Sequence, residues 1–125
     1  MIRISAALAV IVAALAVTGS VAAQPTATKL TGTVGPGFTI TLKDSKGKKV
    51  TSLKAGSYTI TVTDKSGIHN FVVEGAGIPA KNKEVTGVGY TGTKTSKVFT
   101  FQKGKTYTYV CTPHRAIMKG TFKVT

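Results

Sequence analysis

The sequence predicts an all-β sandwich or barrel. Apolar residues alternate with polar ones at period two in several short runs. Glycine-rich or polar turn clusters separate those runs, and no segment carries a convincing helical stripe. Length adds a bound, because 125 residues make one domain.

The N-terminal segment is expected to stand apart from that domain. Arg3 supplies a positive start, Ile4 to Val17 is an almost unbroken apolar run, and Thr18-Gly19-Ser20 breaks it. Val21-Ala22-Ala23 then places small residues where a signal peptidase reads. That three-part plan assigns residues 1–23 to a secretory signal peptide, cut after Ala23. The alternative, an uncleaved anchor, requires the Thr-Gly-Ser break to lie in the bilayer, since a span needs about 20 mostly apolar residues. Residues 24–33 are polar and unpatterned and read as an N-terminal arm. The domain itself is assigned to residues 34–125.

Within the domain the strands follow in order. Phe38, Ile40 and Leu42 alternate with threonines, as do Tyr58, Ile60 and Val62. Phe71 and Val73, Phe99 and Phe101, Tyr107 and Tyr109, and Phe122 and Val124 continue the pattern. These residue types suit a pleated, half-buried surface. The stretch from Gly75 to Gly92 lacks alternation and is expected to be an irregular loop with a helical turn. Tyr107 and Tyr109 read as core, with one hydroxyl pinning a loop.

The formal net charge is +13, with 17 basic and 4 acidic groups. Loss of residues 1–23 would remove only Arg3 among them. A field of that sign steers anionic partners. Nucleic acid is a poor candidate: the chain reads as exported, Arg115 is the sole arginine after Arg3, and no nucleic-acid motif is present. An acidic protein, or an anionic membrane or wall surface, fits better, and plain solubility explains the lysines as well. Asp44, Asp64, Glu74 and Glu84 are too few and scattered for acid–base catalysis and are expected in solvent. No nucleophile–base pair is present either, so neither an enzyme nor a substrate is expected.

One cysteine in an exported chain cannot form an internal disulfide, which directs attention to its sulfur. Cys111, His114 and Met118 form a Cys-x2-His-x3-Met segment in and beside the loop joining two neighbouring strands. His69 stands where a turn passes into a strand. These are the only two histidines, the only cysteine and the only methionine besides Met1. Taken singly, each has an ordinary reading as core or turn. Jointly, two imidazoles, a thiolate and a thioether form the donor set that suits copper in electron transfer.

The segments His69-Asn70-Phe71, Thr106 to His114, and Met118-Lys119-Gly120 resemble the cupredoxin family of small blue copper proteins, such as plastocyanin, amicyanin and pseudoazurin. The resemblance runs from about Val34 to the end. It implies a Greek-key β-sandwich or barrel of the cupredoxin type with one type 1 copper ion at one end. His69, Cys111 and His114 would be equatorial ligands and Met118 the axial one. Asn70 would tie the two ligand segments together through Thr112. Pro113, lacking an N–H, would withhold a second donor from the thiolate. His69 would be the buried ligand and His114 the one near solvent. The chain departs from the family in loop length. It has three residues between His114 and Met118, against two in amicyanin-like and four in plastocyanin-like loops. Loop length sets how far the thioether reaches, so the axial bond stays open at this stage.

The resulting expectation is a periplasmic or extracellular monomer carrying single electrons. A redox partner, acidic in character, would dock on an apolar face around His114 that includes Ala116 and Ile117. Two alternatives use the same residues or the same fold: a copper-delivery protein without a redox task, and an envelope-binding module with a vestigial site.

Overall fold

The computed structural model describes residues 13–20 and 26–125. Residues 13–20 carry no regular secondary structure. The rest of the expected leader, including the cut after Ala23, lies outside the described residues. Among the described residues, no helix is long and apolar enough to cross a membrane.

Strands follow one another through the domain: β1 (Thr28–Val34), β2 (Ile40–Lys43), β3 (Ser52–Leu53), β4 (Gly56–Asp64), β5 (Phe71–Glu74), β6 (Glu84–Thr86), β7 (Gly92–Thr95), β8 (Phe99–Phe101), β9 (Thr106–Val110) and β10 (Lys119–Val124). One sheet runs β2-β1-β4-β7, with β8 also paired to β4. The other runs β3-β10-β9-β5-β6. Both are mixed, because β1 lies parallel to β4 and β3 parallel to β10. The fold is an all-β sandwich of these two sheets.

Alternation decides which residues meet between the sheets. In β4, Tyr58, Ile60, Val62 and Asp64 point inward while the residues between them are partly exposed. Leu30, Val34 and Leu42 join them from the same sheet, facing Phe71, Val73, Tyr107, Tyr109, Phe122 and Val124 from the other. Each large side chain so buried contributes about 1.5–3 kcal/mol. The aromatic rings interlock: Phe101 lies 4.7 Å from Tyr107 and 5.0 Å from Phe122, and Phe71 stacks on Tyr109 at 6.1 Å. The Tyr107 hydroxyl donates to Ala76 O and accepts from Gln102 N–H, each at 2.9 Å, and so pins two loops.

Four expectations need correction. Most of the arm over 24–33 is strand: β1 begins at Thr28, and Leu30, Gly32 and Val34 are buried against β4. Lysine and threonine on its outer face hide a short inward row. The Gly75–Gly92 stretch does contain a helical turn, at Ala80–Asn82, but also β6. Phe38 lies outside β2 and is 55% exposed, so it does not belong to the inward row. Asp64 is buried rather than in solvent, because it ends the inward row of β4. Its Oδ1 accepts from Ser66 N–H at 3.1 Å and shapes the turn that follows.

Gly120, where β10 passes Tyr109, has no room for a side chain: a Cβ there would overlap the Tyr109 ring. Gly120→Ala is expected to destabilise the metal-free protein by about 1–3 kcal/mol through overpacking, measured by chemical denaturation. An unchanged midpoint would mean that the ring shifts freely.

Candidate metal centre

Strand register brings remote residues together. β5 and β9 are antiparallel, with Val72 opposite Val110. The residues just before β5 and just after β9 therefore leave the sheet at the same end. Cys111 directly follows β9, and His69 stands two residues before β5, with Asn70 between. β10 starts opposite the end of β9, with Lys119 paired to Val110, so the intervening loop returns to the same place. It is closed by backbone hydrogen bonds: Cys111 N–H to Met118 O at 3.0 Å, His114 N–H to Cys111 O at 3.1 Å and Met118 N–H to His114 O at 2.9 Å. A 3-10 turn over Thr112–His114, with Pro113 in its first turn, aims His114 back at the sulfur.

Three donor atoms converge. Cys111 Sγ lies 3.7 Å from His69 Nδ1 and 3.5 Å from His114 Nδ1, and the two nitrogens are 3.0 Å apart. A cation held trigonally at about 2.0 Å from nitrogen and about 2.3 Å from sulfur sets such donors roughly 3.5–3.7 Å apart. The triangle therefore fits one small ion with little movement. Cys111 and His69 are fully buried and His114 half-buried.

The surroundings prepare the donors for a metal. His69 Nε2 is 2.9 Å from Gly37 O. A carbonyl only accepts, so Nε2 carries the proton and Nδ1 turns its lone pair toward the sulfur. Gly37 reaches that position through the turn at Gly35, whose φ is +74° and whose absent Cβ would press on Ser66 and His69. Phe38, from the same turn, sets its ring edge-on to both imidazoles, with centroids 5.5 Å from His69 and 5.0 Å from His114. The strand reading of Phe38 concealed this contact; its place beside a Gly-Pro-Gly turn was the available signal.

Asn70 is buried and joins the two ligand segments. It donates to Thr112 Oγ1 and accepts from Thr112 N–H, both at 2.8 Å, and its amide also reaches Glu84 at 3.4 Å. Met118 is fully buried, its backbone paired with Cys111 as above. Arg115 forms a two-pronged ion pair with Glu74, at 2.7 and 2.9 Å. Hydrogen bonding to Arg115, and then its charge and that of Lys83, holds the Glu74 carboxyl below the usual glutamate range against the opposing effect of burial. Sequence reasoning did not find this pair, because its members stand 41 residues apart. A cleft of about 390 Å³, lined by Lys81, Lys94 and Lys97 among others, lies on the flank and shares none of its lining with the three donors.

The copper-binding protein model of the plastocyanin/azurin family matches residues 45–125, well over half of the chain. No curated protein sequence matches it. Among solved structures, auracyanin A, a blue copper protein from the green thermophilic photosynthetic bacterium Chloroflexus aurantiacus, is 20% identical, with a TM-score of 0.53 over 80% of this chain and 100% of its own. Reduced rusticyanin is 24% identical, with a TM-score of 0.51 over 82% of each chain. A point variant of rusticyanin is 25% identical, with a TM-score of 0.50 over 86% of this chain and 87% of its own. With a donor triangle suited to one type 1 copper ion at the end of this sandwich, the chain belongs to the plastocyanin/azurin family of copper-binding proteins, the cupredoxins.

Proposed function

We propose that the protein is an exported single-electron carrier, with His69, Cys111 and His114 as equatorial copper ligands and Met118 in the axial position. The observation that carries this reading is the convergence of a thiolate and two imidazole Nδ1 atoms in a largely buried, rigidly braced triangle. Copper bound there supplies a one-electron couple. The protein's part is to hold the donors nearly still, so that little rearrangement accompanies electron gain or loss. Asn70 and Thr112 lock the two ligand segments together, and the Gly37 carbonyl fixes the His69 ring. Full burial of Met118 beside Cys111 supports the axial assignment despite the three-residue spacing.

Partner docking is supported by apolar side chains exposed at this end. Phe38, Ile68 and Ile117 are 55%, 57% and 66% exposed, and each lies on a loop that carries or contacts a donor residue. Gly89 N–H donates to Gly67 O at 2.7 Å, which sets the turn bearing the exposed Val88 against the turn before Ile68. Half-exposed His114 lies among these loops, so a partner seated there comes within short reach of the site. Weak, small interfaces suit such encounters. The lysines steer an acidic redox partner toward the monomer. The N-terminal leader pattern supports a periplasmic or extracellular location.

Copper-loaded protein is expected to show an intense thiolate-to-copper band, lost in Cys111→Ala, and a stable reversible one-electron wave in voltammetry. A bound copper without such a wave would favour a delivery protein, and no copper uptake would favour a vestigial site. Asn70→Ala is expected to leave the Thr112 N–H without its partner. It should cost the metal-free protein about 1–3 kcal/mol and lower copper affinity by about 10–100-fold, read by denaturation and by chelator competition. Unchanged affinity would remove Asn70 from the bracing.

A further inference from the structure

The Glu74–Arg115 pair is the one ion pair among the described residues, in a chain with 17 basic and 4 acidic groups. Arg115 immediately follows His114, and Glu74 ends the strand that His69 precedes. The backbone hydrogen bonds that close residues 111–118 make that loop a unit but lie within it. Apart from the contacts among the three donor side chains themselves, two side-chain ties fasten it to the segment around β5. One is Asn70 to Thr112, two residues before His114. The other is Glu74 to Arg115, one residue after it. A single attachment leaves a pivot, whereas attachments on both sides of His114 fix its direction. The planar guanidinium meets the carboxylate with two parallel hydrogen bonds, which sets orientation as well as distance.

We propose that Glu74 and Arg115 are positioning residues for the copper site, whose two-pronged pair fixes His114 relative to His69 and Cys111. The inference rests on His114 being a copper ligand. It explains how a loop of this length keeps its imidazole in register. With the pair broken, the loop swings about the Asn70–Thr112 tie, the second imidazole loses its fixed direction, and bound copper becomes easier to remove. The pair is partly exposed, and such pairs add little to global stability. Its loss should therefore register at the copper rather than in unfolding.

The test compares Cu(II)-loaded wild type with Glu74→Gln, Arg115→Gln, the double variant and Arg115→Lys. The readouts are the absorption and electron paramagnetic resonance spectra, the rate of copper removal by a chelator, and melting of the metal-free protein. Either glutamine variant is expected to shift the spectra and to release copper about 10-fold faster, the low end of what outer partners of metal ligands contribute. The double variant should lose no more than either single one, because both remove the same interaction. Arg115→Lys, which keeps the charge but not the fork, should fall between. Metal-free melting should stay within about 2 °C of wild type. Wild-type spectra and release in both glutamine variants would overturn the proposal, as would additive losses in the double variant or a metal-free melting point that falls in step with copper release. His114→Ala separates the two readings. If its copper band is unchanged, His114 is not a ligand and the proposal falls with that assignment. If the band is lost while Arg115→Gln retains wild-type behaviour, only the positioning role falls.

Discussion

The antiparallel register of β5 against β9 underlies the rest of the structure at this end of the sandwich. With Val72 opposite Val110, the segments carrying His69 and Cys111 leave the sheet at the same end, although 42 residues separate the two. A slip of one residue would turn every side chain on the strand to the other face. The interlocked rings of Phe71 and Tyr109, both buried, resist such a slip. The core thus does more than stabilise the fold, because its packing fixes the spacing of the donor atoms.

The buried polar side chains of His69 and Asn70 are satisfied in ways that also select the chemistry of the donors. A fully buried imidazole is costly unless both nitrogens find a use. The Gly37 carbonyl takes one nitrogen of His69, and the other faces the sulfur. Asn70 is buried too, and it meets Thr112 through both ends of its amide. Charge is arranged differently. The lysines stand on the surface, whereas the single arginine beyond Arg3 is neutralised by Glu74 next to His114. The loop bearing the half-exposed ligand is therefore less positive than the molecule as a whole, and exposed apolar side chains surround it.

Much of this was legible in the sequence. Period-two alternation marked the strands of the core, and the concentration of every histidine and of Cys111 in two short segments marked the donor triangle. Other features were not legible, for physical reasons. Residues 24–33 look like an arm because the outer face of β1 is threonine and lysine, and its inward row of Leu30, Gly32 and Val34 includes a glycine that carries no hydrophobic signal. Phe38 fell in phase with Ile40 and Leu42, yet the turn at Gly35 rotates it out of the strand and onto the imidazoles. Asp64 looked like a solvent carboxylate, but strand phase carries it inward. The Glu74–Arg115 pair depends on tertiary placement alone, and no local pattern announces it.

X-ray absorption at the copper edge of the loaded protein most directly examines whether these three side chains share one ion. Two nitrogen neighbours and one short sulfur, with the sulfur lost in Cys111→Ala, are the expected result. A shell of oxygen and nitrogen alone, or one unaffected by Cys111→Ala, would contradict it.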